Sequence, residues 1–566
     1  MLKRKSGQGR IQDAESAPLF EISFPETVRR LPVTGRMLLI LSRHNDPEVR
    51  LQVNSLTSPP LFGLDVHGLL PGEVAVIDNE ATGYPIETIA EIPAGFYYAQ
   101  AILNVYTEFH RSDGHVIWAH LDQWEGQRAA LSPGNLYSKV SQVYLDGLRS
   151  DKVTLELTET IPPVAVPADT EWVKHVKIQS EILTQFWGRP IYLGAVVLLP
   201  RGYSRQPDAH YPIVYTHGHF SLNAPFDFST DELLESEDDR AWRERCGAET
   251  GYEFYQSWIS DGFPRVIAVS LLHPTPYYDS SYAVNSANNG PYGDAIMTEL
   301  IPYIEARFRV IRQPRSRMLT GASTGGWVSL ALQLQHPDFF GGAWAFCPDP
   351  IDFRRYGPIN IYEDDNAFAF DSSQGVPKWF RQDWSRPQRF FVQSDDGQPL
   401  FTVRGLSRLE TILGTRGRSG AFLENWEVVY GPVGEDGYPR PLWDRQSGEI
   451  DRCVAEYMRD RGYDLCQYAR ENWGKLGPRL AGKLHIYCGE MDNFYLNLGV
   501  YLFDEFLQKS DPSHGGEIVV YGRPMKGHGW QPMTNAALIR TIAAACARVD
   551  SYSTFTERNS NAEPKQ

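Results

Sequence analysis

Arg317-Met-Leu-Thr-Gly-Ala-Ser-Thr-Gly-Gly-Trp-Val-Ser-Leu330 decides how the rest of the chain is read. It begins as a short apolar strand, turns at Gly321-Ala-Ser323-Thr-Gly325, and continues as a helix through about position 335. A Gly-x-Ser-x-Gly turn between strand and helix is the layout of a nucleophile elbow, which lifts a serine hydroxyl clear of the sheet edge. Glycine on either side removes the Cβ atoms that would collide in so sharp a turn. The helix start just after Ser323 aims backbone N–H groups at any negative charge that develops there. The bare pattern is weak evidence, so the reading depends on its surroundings.

Those surroundings alternate strand and helix. Stretches 191–200, 211–216 and 265–271 read as strands, the second running into His217-Gly-His219. Residues 293–309 read as one amphipathic helix with Asp294 near its start, and Gly342-Ala-Trp-Ala-Phe346 follows the elbow helix as another strand. The rhythm stops over 350–480, a Trp-, Tyr-, Arg- and Gly-rich stretch expected to be an insertion acting as a lid or pocket wall. It resumes with a strand at 483–488, a helix at 495–509, a strand at 517–521 and a final helix at 532–549. Near-continuous apolar strands separated by helices indicate a parallel sheet covered on both faces, in two segments, 175–349 and 481–549.

Upstream, 19–148 changes character. Short runs of β-branched and aromatic residues, separated by Pro, Gly, Asn and Asp, predict an antiparallel β-sandwich. A Pro-rich link is expected over 149–174, and polar tails over 1–18 and 550–566 are expected to be disordered. Asp65 and His67 lie close in sequence but read as structural.

Composition narrows the function classes. The 566 residues are too many for one ordinary domain, and 42% hydrophobic with 22% charged residues is the composition of a core-forming protein. A formal net charge of −16 argues against nucleic acid or an anionic membrane surface as partner. Lys3, Arg4 and Lys5 are followed by polar residues rather than an apolar run, so the chain as given shows no secretory signal and a cytoplasmic location is expected. Six cysteines, with no Cys-x-x-Cys pair, indicate neither a disulfide framework nor a zinc cage.

A serine nucleophile needs a base, an acid to hold that base, and donors for the oxyanion. Each is available at the end of an expected strand, where open α/β sheets place their chemistry. Asp492 lies in Cys488-Gly-Glu-Met-Asp-Asn493, directly after a strand, with Glu490 as its rival in the same loop. His528 lies in Lys526-Gly-His-Gly-Trp530, after the last strand. The order Ser323, Asp492, His528 is nucleophile, acid, base. The backbone N–H groups of His219 and Thr324 are the expected oxyanion donors. His217, Asn289, Trp327 and Trp530 are candidate pocket residues, although either tryptophan could equally be core. The His217-x-His219 pair could begin a metal site, but no second ligand cluster follows it, so no metal is expected.

Tyr215-Thr-His-Gly218, Tyr292-Gly-Asp-Ala295, Thr320-Gly-Ala-Ser-Thr-Gly-Gly326, Gly489-Glu-Met-Asp492 and Gly527-His-Gly-Trp530 together resemble the esterase D / enterochelin esterase-like branch of the α/β-hydrolases. The resemblance spans about 175–548 without the insertion. It implies an α/β-hydrolase fold, from which this chain departs by a large insertion, expected to be a lid, and by an N-terminal β-sandwich. It also implies Ser323 as nucleophile, Asp492 as acid and His528 as base, with no cofactor. The expected activity is hydrolysis of a small-molecule or sugar ester through an acyl-enzyme. Two other readings use the same residues differently: an acyltransferase in which the insertion excludes water, and a non-catalytic binding protein on a relict fold. Nothing in the sequence selects the substrate or the oligomeric state.

Overall fold

Eight strands, the six inner ones buried along most of their length, form the sheet that carries Ser323. In chain order they are β1 (Val173–Ser180), β2 (Ile191–Leu198), β3 (Ile213–His217), β4 (Ile267–Leu272), β5 (Arg317–Ala322), β6 (Gly342–Phe346), β7 (Leu484–Gly489) and β8 (Ile518–Gly522). The computed structural model describes residues 17–560 except 55, 147, 148, 150, 371–386, 514, 516 and 517; from 548 onward only the backbone is described. The expected tail 1–18 therefore lies almost wholly outside the described residues, as do 371–386 of the expected insertion and the last six residues.

The strand order is β1-β2-β4-β3-β5-β6-β7-β8. β2 is antiparallel to both β1 and β4, and every pairing from β4 to β8 is parallel. The register aligns His217 with Gly321, Gly321 with Ala345, Phe346 with Tyr487, and Gly489 with Gly522. The loops after β3, β5, β6, β7 and β8 thus emerge along one edge, where parallel sheets gather their chemistry. All five residues of β6 are buried, and eleven of the twelve residues of helix α1 (Thr324–Gln335) are buried too. A helix apolar all round must be covered all round. At the opposite end of β5, Arg317 forms a buried ion pair with Glu305 (Nε to Oε1 2.7 Å), and Tyr215 donates its hydroxyl to the same carboxylate.

The helix expected over 293–309 is broken. It runs Tyr292–Ala295, passes through a wide π turn over Ile296–Leu300, and resumes as Ile301–Arg307. Pro302 is the physical reason: it has no N–H to give, and its ring crowds the carbonyl four residues back, so the turn before it opens.

Upstream, the described residues form two larger sheets and a two-stranded one, Thr107–His110 with Val116–Ala119. In the seven-stranded one, Val33–Ser42 sits between Leu61–Leu69 and Gly95–Val105, antiparallel to both. In the three-stranded one, Leu19–Ser23 pairs antiparallel with Ala75–Ile77 but parallel with Lys152–Glu156. Phe20, Ile22, Met37, Leu39, Leu103 and Leu155 share one buried cluster. Strand pairing here therefore extends beyond 148: Lys152–Glu156 and Glu159–Thr160 fall in the stretch expected to be a link. The last helix, Asn535–Ser560, likewise continues past Asp550, where a polar tail was expected. No Gly or Pro occurs between there and Pro564 to stop it.

Between β6 and β7 the chain forms α2 (Val403–Leu413), α3 (Phe422–Tyr430) and two further helices, Arg452–Asp460 and Leu465–Leu480. The upstream sheets meet this region through Arg36, which donates to the carbonyl of Ile412 (2.9 Å), and through Thr415, which donates to Asp65 (2.6 Å). Asp65 also pairs with Arg36 at 3.2 Å; burial alone would raise its pKa, but Arg36, Thr415 and Arg418 hold it below the usual carboxylate range. Among the described residues, no helix is long and apolar enough to cross a membrane.

Candidate active site

Ser323 occupies the turn between β5 and α1 with φ 55° and ψ −119°, a strained conformation for a residue with a side chain. Such a residue costs on the order of 1–3 kcal/mol and persists only where its surroundings enforce it. The two flanking glycines show what enforces it. A Cβ on Gly325 would lie 1.9 Å from the carbonyl oxygen of His217, and one on Gly321 would lie 2.6 Å from that same oxygen. The turn is pressed against the end of β3, and only glycine fits at either side.

Asp492 follows β7 and is fully buried. Its Oδ1 accepts the N–H groups of Phe494 (2.9 Å) and Leu496 (3.3 Å), and its Oδ2 lies 2.8 Å from His528 Nδ1. Glu490, the rival carboxylate, instead accepts the Met525 N–H and pairs with Arg523 at 3.2 Å. His528 follows β8, with its side chain 18% exposed. Burial disfavours charge on its ring, yet the adjacent Cys347 sulfur and Asp492 carboxylate outweigh that and raise its pKa well above the ordinary value. Phe494 packs edge-on against the His528 ring, with centroids 4.8 Å apart, and Phe422 of α3 packs on Phe494.

The loops after β7 and β8 are tied to each other and to the region preceding α2. Asn493 accepts the His528 N–H (2.8 Å) and donates to the carbonyl of Gln393 (2.8 Å). Gln393 in turn donates its side-chain amide to the carbonyl of Asp492 (3.0 Å). Asp492 and His528 are thus held in register by a residue more than a hundred positions away from His528.

Ser323 Oγ donates to Asp349 Oδ1 at 3.1 Å. Asp349 follows β6, is 4% exposed, and accepts further bonds on Oδ2 from Thr324 Oγ1 (3.1 Å), Trp426 Nε1 (3.2 Å) and the Tyr282 hydroxyl. Sequence reasoning passed over both Asp349 and its neighbour Cys347. The signal was present: Cys347-Pro-Asp349 stands just beyond a strand end, as Asp492 and His528 do.

His219 forms an ion pair with Asp279 (3.1 Å), which raises its pKa against the opposing effect of burial. His217 is buried, neither ring nitrogen has a hydrogen-bond partner among the described residues, and burial, with His273 nearby, pushes its pKa down to about 3. The two histidines therefore do not converge as a metal pair. Among the described residues a different trio comes together: Cys347, Asp492 and His528, whose ligand atoms lie within 4.8 Å of one another. Asn289 is fully buried with its side-chain amide unpartnered. Trp327 is also fully buried, edge-on to Tyr282 and tilted against Tyr430, and so belongs to the core. Trp530 is half-buried against Gly522. A cavity of about 710 Å³ lies elsewhere, lined by Thr415, Arg416, Glu424, Tyr438 and Arg445 among others and by none of these candidates.

Residues 192–393 match the model of the family described as "Putative esterase". Over that stretch the chain carries a domain matching this esterase family. It is an enzyme, a serine esterase, as the sequence led one to expect. Among solved structures this esterase is similar to a ferulic acid esterase at 16% identity, over 66% of this chain and 98% of that one, with a TM-score of 0.32. It is similar to an S-formylglutathione hydrolase from Agrobacterium tumefaciens at 12% identity, over 69% and 98%, with a TM-score of 0.31. Similarity to an acylaminoacyl peptidase from Pyrococcus horikoshii extends over 94% of this chain and 70% of that one, at 10% identity and a TM-score of 0.32. No curated protein matches the chain.

Proposed function

We propose that the protein hydrolyses a small-molecule carboxylic ester through Ser323, His528 and Asp492. The observation that carries this reading is the 2.8 Å contact between His528 Nδ1 and the fully buried Asp492, beside a serine in a strained turn at the same sheet edge. In the reacting complex Ser323 Oγ leaves Asp349 for the His528 ring nitrogen not facing Asp492, gives it the hydroxyl proton and attacks the ester carbonyl carbon. The carbonyl oxygen becomes an oxyanion that the N–H groups of His219 and Thr324 receive; the start of α1 leaves the latter without a helical partner. Collapse expels the alcohol, which takes its proton from His528. Water, deprotonated by His528, then attacks the acyl-enzyme, releases the acid and restores Ser323. Asp492 fixes the ring tautomer and stabilises the imidazolium throughout.

The upstream sheets act in this reading as a β-sandwich domain, and the region between β6 and β7 as a lid that shapes the pocket. Phe422 and Phe494 beside His528 favour an apolar or aromatic group on one side of the ester. A fluorophosphonate probe and a panel of p-nitrophenyl esters test the assignment. Labelling and turnover are expected in the native protein and neither in Ser323→Ala; full turnover by that variant rejects it.

A further inference from the structure

The hydrolytic reading leaves Cys347 without a role, although its sulfur adjoins the proposed base. Cys347 is fully buried, immediately follows β6 and has a left-handed backbone, φ 34°. Its N–H donates to the carbonyl of Tyr487 on β7 at 2.6 Å, so its position is fixed by the sheet. The Cys347 sulfur, an Asp492 oxygen and a His528 nitrogen lie within 4.8 Å of one another. No lysine or arginine pairs with any of the three among the described residues.

We propose that Cys347, His528 and Asp492 form a binding site for a soft divalent cation such as Zn²⁺, and that filling it silences the esterase. The donor set supports this. A thiolate and an imidazole select zinc-like ions over magnesium or calcium, which prefer all-oxygen sites. Thiolate and carboxylate together supply two negative charges to balance the dication. Bond lengths of about 2.3 Å to sulfur and about 2.0 Å to nitrogen require those atoms to be roughly 3.5 Å apart, so only small side-chain rotations are needed. The partly exposed face of His528 gives the ion its entry. Further thiols stand nearby: Cys246 Sγ lies 3.7 Å from the carbonyl of His528, and Cys488 is the last residue but one of β7, four before Asp492. Once the ion holds the lone pair of His528, Ser323 has no base.

The test uses reduced, chelator-treated full-length protein titrated with Co²⁺, read by the thiolate-to-metal charge-transfer absorption and competed with Zn²⁺. A one-equivalent band is expected in the native protein and in Ser323→Ala, and in Cys453→Ala, whose thiol is exposed elsewhere. The band is expected to vanish in Cys347→Ser, with fluorophosphonate labelling of Ser323 and the melting curve reporting that this variant is folded. One equivalent of Zn²⁺ is expected to lower native ester turnover at least about tenfold, reversibly on chelation. No band in the native protein, or an equal band in Cys347→Ser, overturns the proposal. Because the absorption needs no turnover, loss of the hydrolytic reading and loss of the metal site are separate results.

Discussion

The loops after β6 and β7 each present one buried aspartate to the same sheet edge, yet the two carboxylates face different company. Asp492 spends one oxygen on two backbone N–H groups and turns the other to an imidazole. Asp349 receives only hydroxyls and an indole N–H, from Ser323, Thr324, Tyr282 and Trp426. The first arrangement tunes a group that gains and loses a proton. The second holds hydroxyl and indole donors, Ser323 among them at rest, and links the serine turn to α3. Burial and strand position are alike, so the partner alone separates the carboxylate proposed to assist chemistry from the one that holds parts together.

Substitutions can break this contrast. Ser323→Ala removes the atom both halves serve, and kcat/KM is expected to fall by about 10⁵-fold or more in ester assays. Asp492→Asn keeps the shape but loses the charge and the tautomer control, with an expected loss of about 10⁴ in kcat. Asp349→Asn is expected to cost far less in rate, about tenfold, but to lower stability by about 1–3 kcal/mol in denaturant titrations, because a buried hydroxyl or indole donor loses its acceptor. If Asp349→Asn matches Asp492→Asn in kcat, the division of labour fails. Trp426→Phe deletes one donor to Asp349 and is expected to cost about 0.5–1.5 kcal/mol, with little change in rate.

A pH profile sharpens the same comparison. The pKa of His528 is raised well above the ordinary value, because Cys347 and Asp492 outweigh the effect of burial. Turnover needs the neutral ring, so kcat/KM should rise with pH through a midpoint above the ordinary histidine value of about 6.5. Asp492→Asn removes one negative neighbour and should move that midpoint down; Asp349→Asn should leave it nearly in place. The sign for stability is opposite to that for rate. A raised pKa means the folded state holds the proton more tightly, so this contribution is full below about 6.5 and lost as pH climbs through the folded value. Melting temperatures across that range check it.

The parts of the site legible in the sequence were those announced by strand ends and local chemistry. Ser323 was marked by its glycines, and Asp492 and His528 by the strands they follow. Asp349 and Cys347 followed a strand equally well, but their relevance depends on β6 lying beside β5, a pairing no local pattern states. Gln393 is further from legibility still: its bond to the Asp492 loop spans about a hundred residues of chain. In the fold, the strand–helix rhythm carried through, whereas Pro302 broke one expected helix and the pairing of Leu19–Ser23 with Lys152–Glu156 crossed an expected boundary.

The strut from Gln393 through Asn493 to His528 also bears on how such a protein can change. A segment hung from the sheet by its two ends could be trimmed, swapped or lengthened without disturbing what lies beneath. This one has become part of the scaffold that sets the spacing of acid and base. Shortening it would leave a catalyst out of alignment rather than a smaller working one, and grafting it elsewhere would require carrying Asn493 along.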